Sequence, residues 1–230
     1  AGDFEYSWKR LLNPETGSDY AYFLYDIENA EEYNTGAITE ADKLGIKAVD
    51  DTTLEVRLKK PASYFPSLLS FMSTYPMRKD VVDAHGLRWT EPENIVTLGP
   101  YRLSSWRHHD HILLTRNGDY WGEKPRIEKV RIIMNENPSS ALAQYESGDL
   151  DYADSKSIPP LEVPRLKDLP DFMATLMFRT NYIAFNVEKP PFDNPLVRKA
   201  FAAAIDRQSI VDLIQGAGVT TKSWIPKNML

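Results

Sequence analysis

Apolar positions along this chain switch between helical spacing and strict alternation, and the switches mark its elements. Phe4, Trp8, Leu11 and Leu12 fall at i, i+4, i+7 and i+8, one face of an amphipathic helix with Asp3 placed to cap it and Asn13-Pro14 ending it. Tyr20 to Ala30 also spaces as a helix, crowded by Tyr20, Tyr22, Phe23 and Tyr25. Phe23 reads as a core ring, whereas a tyrosine phenol can also line a wet cleft. From Leu44 to Lys60 the period becomes two: Ile46 and Ala48 enter Asp50-Asp51-Thr52-Thr53, and Leu54, Val56 and Leu58 leave it, alternating with Glu55, Arg57 and Lys59. That predicts a half-buried hairpin whose apolar side shares a core with Trp8. Pro61 stops it, Tyr64 to Phe71 reads as a short apolar helix with Pro66 near its first turn, and Lys79 to His85 as a helix closed by Gly86.

The clearest alternation follows Gly99-Pro100, where Tyr101, Leu103 and Ser105 alternate with Arg102, Ser104 and Trp106. A polar tip at Arg107 to Asp110 returns through Ile112, Leu113 and Leu114 to Asn117-Gly118-Asp119 and Tyr120-Trp121-Gly122. Ile127, Val130, Ile132 and Ile133 supply another strand. Pro138 then opens a helix carrying Ala141, Leu142 and Tyr145, closed by Gly148. Leu150 and Tyr152, Phe172 to Phe178, and Tyr182 to Val187 read as strands on propensity. A proline-rich segment between the first two holds one short helix at most, and Lys189 to Pro195 is a loop. Leu196 to Gln215 reads as one helix with Ala200, Phe201, Ala204 and Ile205 inside, ended by Gly216 and Gly218. Strands interleaved with helices give an α/β fold class, and no repeat of solenoid period appears.

Composition narrows function by exclusion. The 230 residues carry 27 Lys plus Arg against 33 Asp plus Glu, a formal charge of −6, which argues against a nucleic-acid surface. No apolar run spans a bilayer, and no basic-then-apolar leader stands at the start. The chain therefore reads as mature or excised, and Ala1-Gly2-Asp3 running straight into a helix favours an excised piece. With no cysteine, thiol catalysis, disulfides and thiolate metal sites drop out together.

Candidate chemistry is sparse. His108, His109 and His111 surround Asp110 at the hairpin tip, and His109 and His111 would share a face of an extended strand. Two imidazoles on one tip do not close a metal site, so a solvated turn is expected there, with no metal and no cofactor. Glu91 with Glu93, and Asp149 with Asp151, are carboxylates two apart; each pair points to one side and cannot flank a glycosidic bond. A nucleophile elbow, a zinc helix and a phosphate loop are all missing, Gly216-Ala217-Gly218 lacking the third glycine and the following helix. An enzyme is not expected; a hydrolase is the reading from another class.

The string G-P-Y-x-L-x-x-W from Gly99 to Trp106, ending in R-N-x-x-Y-W-G from Arg116 to Gly122, resembles the signature of the bacterial peptide- and nickel-binding solute receptors of ABC importers. The resemblance runs along the chain through Tyr6-Ser7-Trp8, Trp89-Thr90 with Asn94-Ile95-Val96-Thr97, Gly148-Asp149-Leu150-Asp151, Lys189-Pro190-Pro191-Phe192 and Ala204-Ile205-Asp206-Arg207. It implies a mixed-sheet lobe of a periplasmic-binding-protein-like two-lobe fold, incomplete at both ends. Residues 1–78 would be the smaller segment of the N-terminal lobe, 79–178 its main segment, and 179–230 the crossover and start of the C-terminal lobe. The implied partners are an oligopeptide ligand and the permease subunits of the importer, in the periplasm or, in a single-membrane bacterium, on the cell surface as a lipoprotein. Dipeptides, cell-wall peptides or a nickel chelate are alternative ligands. Carried over by position, Tyr20 in Ser18-Asp19-Tyr20 looks into the peptide groove, Asp154 and Ser155 border it, and Asn181, Tyr182 and Asn186 lie on the strand crossing between lobes, where they either hold the hinge or touch ligand.

Overall fold

A computed structural model describes residues 1–175, 177–214 and 218–226, in two compact units, Ala1–Met134 and Asn135–Leu230. The first unit carries α1 (Gly2–Leu12), α2 (Ala30–Asn34), β1 (Ile46–Ala48), β2 (Leu54–Val56), α3 (Phe65–Leu68), α4 (Lys79–His85), β3 (Tyr101–Arg107), β4 (His111–Arg116) and β5 (Lys129–Ile133). The second carries α5 (Pro138–Glu146), α6 (Val163–Leu166), α7 (Pro195–Ala204) and α8 (Arg207–Leu213). Helices and sheet alternate as the α/β reading requires, and among the described residues every ladder is antiparallel.

The core of the first unit is built by α1, which turns Trp8, Leu11 and Leu12 inward, while Phe4 stays partly exposed and meets Trp8 edge-on at 6.2 Å. Asp3 does not cap the helix. Ala1 takes that place, its carbonyl accepting from the Phe4 and Glu5 amides, so Asp3 falls in the first turn, where its charge still complements the helix dipole. Ile46 pairs with Val56 and Ala48 with Leu54, so Ile46, Leu54, Val56 and Leu58 pack on the cluster that holds Trp8, Leu24, Ile27 and Phe65, the shared core expected from alternation. The Asp50 carboxylate accepts from the Thr52 and Thr53 amides, each at 2.8 Å, and closes the hairpin.

Tyr20 to Ala30 is not one helix. A 3-10 turn covers Ala21–Leu24, Asn29 takes φ 60, and α2 starts only at Ala30. Between them Ile27 bridges Leu58, the Glu28 amide donates to the Arg57 carbonyl at 2.9 Å, and the Lys59 amide donates to the Asp26 carbonyl at 2.8 Å. These groups are committed to the neighbouring hairpin and cannot also serve a helix. Gly45 permits the approach, because a Cβ there would stand 2.5 Å from the Arg57 carbonyl oxygen.

β3, β4 and β5 form a three-stranded antiparallel sheet. Leu103 pairs with Leu114 and Ser105 with Leu113, so Ser104 is an extra residue, a β-bulge. The bulge corrects the simple alternation: Trp106, opposite Ile112, joins Leu103, Leu114, Val130 and Ile132 on one apolar face instead of lying with Arg102. Buried Asn117 ties the base of the hairpin, its amide nitrogen donating to the Gly99 carbonyl at 3.0 Å and its backbone amide to that of Pro100 at 2.8 Å. Gly86 closes α4 at φ 55.

In the second unit Asn137 caps α5 by accepting from the Ser140 amide at 3.1 Å, Ala141 and Leu142 are buried, and Gly148 ends the turn at φ 83. The strands expected at Leu150 to Tyr152, Phe172 to Phe178 and Tyr182 to Val187 form no ladder among the described residues; Leu176 lies outside them. Strand propensity reports fitness for a pleated, half-buried surface and needs a neighbouring strand to be realised. The helix expected from Leu196 to Gln215 is two, because the Asp206 carboxylate accepts from the Gln208 amide at 2.9 Å and the Ser209 amide at 3.2 Å and starts α8 anew. Gln215 and Gly216 lie outside the described residues. Ala200, Phe201 and Ala204 are exposed and Ile205 half-buried, contrary to the expected interior; Phe201 meets the rings of Phe185 and Phe192 edge-on at 5.8 and 5.3 Å.

Candidate functional site

Tyr20 stands at the start of the 3-10 turn, where the Ser18 hydroxyl accepts from its amide at 3.3 Å and its own carbonyl accepts from the Phe23 amide. This sets the ring against two phenylalanines, with centroids 5.1 Å from Phe71 and 6.0 Å from Phe23, both edge-on. Phe23 and Phe71 stack at 4.5 Å with their planes 6° apart, and Tyr22 leans on Phe23 at 4.8 Å. Phe23 is thus half-buried in a surface stack and not in the core cluster. Tyr20 is 42% exposed, and its hydroxyl has no partner among the described residues.

The stack is anchored from below. Buried Thr74 donates its hydroxyl to the Phe71 carbonyl at 2.8 Å and to the Leu69 carbonyl at 3.0 Å, and its own carbonyl accepts from the Trp8 indole nitrogen at 2.8 Å. Ser7 adds a second tie by accepting from the Met77 amide at 2.6 Å. The hydrogen bonds of α1 therefore fix the loop that presents Phe71. Phe71 was invisible as a site residue in the sequence, where it closes an ordinary apolar run.

The remaining candidates lie in the second unit. The Asp154 carboxylate accepts from the Ser157 hydroxyl at 2.7 Å and from the Ser157 and Lys156 amides at 2.9 and 3.1 Å. The Ser157 hydroxyl bond, reinforced by the backbone amides, holds its pKa below the usual carboxylate range. One oxygen is therefore spent on closing a turn, and Ser155 is exposed within that turn. Tyr182, 63% exposed, meets Trp224 edge-on at 4.4 Å, while the Thr180 hydroxyl donates to the Trp224 carbonyl at 3.0 Å. Asn186 accepts from the Glu188 amide at 3.1 Å, a local turn; Asn181 is exposed and forms no side-chain hydrogen bond among the described residues. Trp224, like Phe71, gave no periodic signal.

At the hairpin tip His109 takes φ 63, His108 lies 3.4 Å from Glu91 with its ring 4.2 Å from that of Trp106, and His111 Nδ1 lies 3.1 Å from Asp110. The adjacent His111 imidazole, with the Arg107 charge, holds the Asp110 carboxyl below its ordinary pKa. Among the described residues no three His, Asp or Glu side chains are grouped to hold a metal ion. Glu93 pairs with Arg88 at 2.8 Å and Asp149 accepts from Ser147 at 2.9 Å, so the carboxylates singled out by spacing serve local contacts. The chemistry on offer is that of contact surfaces: aromatic faces, phenols and turn polar groups.

The model of the family described as bacterial extracellular solute-binding proteins, family 5 Middle, matches residues 1–230. The oligopeptide-binding protein OppA of Bacillus subtilis is 34% identical over 235 residues, covering 100% of this chain and 43% of its own length. The structure of Haemophilus influenzae OppA in complex with RPPGFSPFR superposes with a TM-score of 0.88 at 34% identity, over 99% of this chain and 45% of that one. The murein tripeptide binding protein MppA of Escherichia coli gives a TM-score of 0.88 at 32% identity, over 99% and 45%. The chain thus spans less than half the length of these relatives.

Proposed function

Since this chain belongs to the family 5 bacterial extracellular solute-binding proteins, we propose that the protein carrying it is an extracytoplasmic receptor that captures oligopeptides and delivers them to an ABC importer. The observation that carries this reading is the likeness, over 99% of the chain, to an OppA held with a nine-residue peptide. An exposed phenol without a partner at Tyr20 supports it, because a peptide groove must offer hydrogen bonds that suit any backbone. Residues 1–78 and 79–178 form segments of one lobe, and 179–230 the crossover and the start of the other, in a receptor that works by hinge closure. Tyr20, Asp154, Ser155 and Tyr182 border the ligand, and Asn181 and Asn186 belong to the crossing strand. The protein acts in the periplasm, or on the surface of a single-membrane cell, and performs no catalysis. No described helix is long and apolar enough to cross a membrane. Dipeptides, murein peptides and a nickel chelate are the competing ligands within the family.

Calorimetry of the full-length protein against tri- to nonapeptides tests the reading. Binding without turnover is expected, with Tyr20→Ala weakening affinity while the melting temperature moves little. Failure of every peptide to bind, or hydrolysis of one, overturns it. Residues 1–230 alone should bind far more weakly, because half a site must still offset the several kcal/mol of lost translational and rotational freedom.

A further inference from the structure

We propose that Phe71, backed by Phe23 and flanked by Tyr20, forms a wall that takes an aromatic side chain of the bound peptide, which makes Phe71 a specificity-determining residue. The inference rests on the peptide-receptor reading of Tyr20 and adds the class of side chain preferred beside it.

The observation is a set of rings ordered where core packing does not demand them. Tyr20, Tyr22, Phe23 and Phe71 all lie outside the buried core cluster, yet Phe23 and Phe71 are parallel at 4.5 Å, and Tyr20 meets Phe71 edge-on at 5.1 Å. Tyr22, which leans on Phe23, and Met72, the next residue after Phe71, are exposed as well. Aromatic pairs favour offset-stacked or edge-to-face geometry at such spacings, and a further ring can add to the array in the same way. The wall is also rigid. Phe71 is fixed through Thr74 to the Trp8 indole and Phe23 through the turn begun by Tyr20, so an arriving ring need not order it first.

Among the described residues no cation lies over these rings, so an Asp or Glu of the ligand finds no counter-charge in the stack itself. The peptide held by the Haemophilus influenzae relative, RPPGFSPFR, shows that a neighbour of this fold accepts phenylalanine-bearing ligands. Tyr20 contributes a phenol at the rim, suited to the peptide backbone, while Phe71 contributes a face suited to a side chain.

The test is titration calorimetry of the full-length protein with trialanine and with its three single-phenylalanine analogues. Wild type should bind one analogue about tenfold more tightly than trialanine. Phe71→Ala should erase that preference by costing the analogue about tenfold more than it costs trialanine, and Phe71→Tyr should retain it. Melting curves show whether Phe71→Ala stays folded; if it does not, Phe71→Leu supplies the same comparison. Equal losses for trialanine and the analogue would make Phe71 a packing residue and overturn the proposal while leaving the receptor reading intact. Absence of any peptide binding by wild type would instead remove the receptor reading. Sedimentation of both proteins covers the remaining occupant: a wild-type dimer lost in Phe71→Ala would assign the wall to a second copy of the chain and overturn the proposal too.

Discussion

Replacing Trp8 by Phe should destabilise the first unit through one identifiable bond. Trp8 is 2% exposed, and its indole nitrogen donates at 2.8 Å to the carbonyl of Thr74, itself fully enclosed. Phenylalanine keeps an apolar ring but offers no donor, leaving that carbonyl buried without a partner at a cost of about 1–3 kcal/mol. The smaller ring also leaves a cavity, at about 24 cal/mol per Å³ that does not collapse. Together the loss should reach roughly 2–4 kcal/mol, lowering the melting temperature by about 5–15 °C for a unit of this size. Urea unfolding followed by far-ultraviolet circular dichroism is the suitable assay, since tryptophan emission changes with the substitution itself. A lower midpoint at unchanged slope is expected. Phe4→Leu, on the same helix but at a partly exposed position, serves as the control and should cost well under half as much. If Trp8→Phe costs less than about 0.5 kcal/mol, the loop from Leu69 to Met77 does not depend on α1, and the account of how Phe71 is anchored fails with it.

Val56→Asp places a carboxylate against the Trp8 cluster, where one apolar side chain is worth about 1.5–3 kcal/mol, and should unfold the β1–β2 layer, read as lost protection of the Val49 and Arg57 amides, which donate to the Thr53 and Gly45 carbonyls. Asp206→Ala removes the acceptor for the Gln208 and Ser209 amides and should cost about 1 kcal/mol, seen as several-fold faster hydrogen exchange in α8. Burial would raise the Glu5 carboxyl, but hydrogen bonds from Lys9 and the Ala48 amide, with the Lys9 and Lys47 charges, outweigh it and hold the pKa below the usual value. Because the folded pKa is depressed, this stabilisation is complete above the unfolded value of about 4.3 and is lost as pH falls through the folded one. The melting temperature of wild type should therefore exceed that of Glu5→Gln at pH 7 and converge on it near pH 3; a constant gap would refute the role.

Legibility from sequence followed the range of the interactions involved. The β1–β2 hairpin, the closing glycines Gly86 and Gly148, and the α1 face were readable because each is set by spacing or by a neighbouring residue's backbone demand. Tyr20 to Ala30 was misread because Leu58, thirty-one residues on from Ile27, claims it for a bridge. The strands expected between Phe172 and Val187 were misread for the converse reason, since no partner among the described residues completes them. The break at Asp206 was visible as a capping aspartate but lost to the apolar rhythm on either side. At the candidate site Tyr20 came from family resemblance alone, and Phe71 could not be found at all, because what distinguishes it is a ring from another loop lying parallel to its own.

The extra residue at Ser104 makes the length of β3 as consequential as its composition. A strand repeats every two residues, so one added position is the smallest change that exchanges its two sides beyond that point. Deleting Ser104 alone would leave Leu103, Ser105 and Trp106 opposite Leu114, Leu113 and Ile112 in unbroken alternation, so Trp106 keeps its side of the sheet and only the bulge is lost. Deleting Ser104 together with Ser105 would set Trp106 directly after Leu103, opposite Leu113 and on the other side of the sheet, with every remaining residue type unchanged. Homologous chains aligned through this strand should therefore be compared by counting outward from the tip and inward from Pro100 separately, because no single frame holds for both ends.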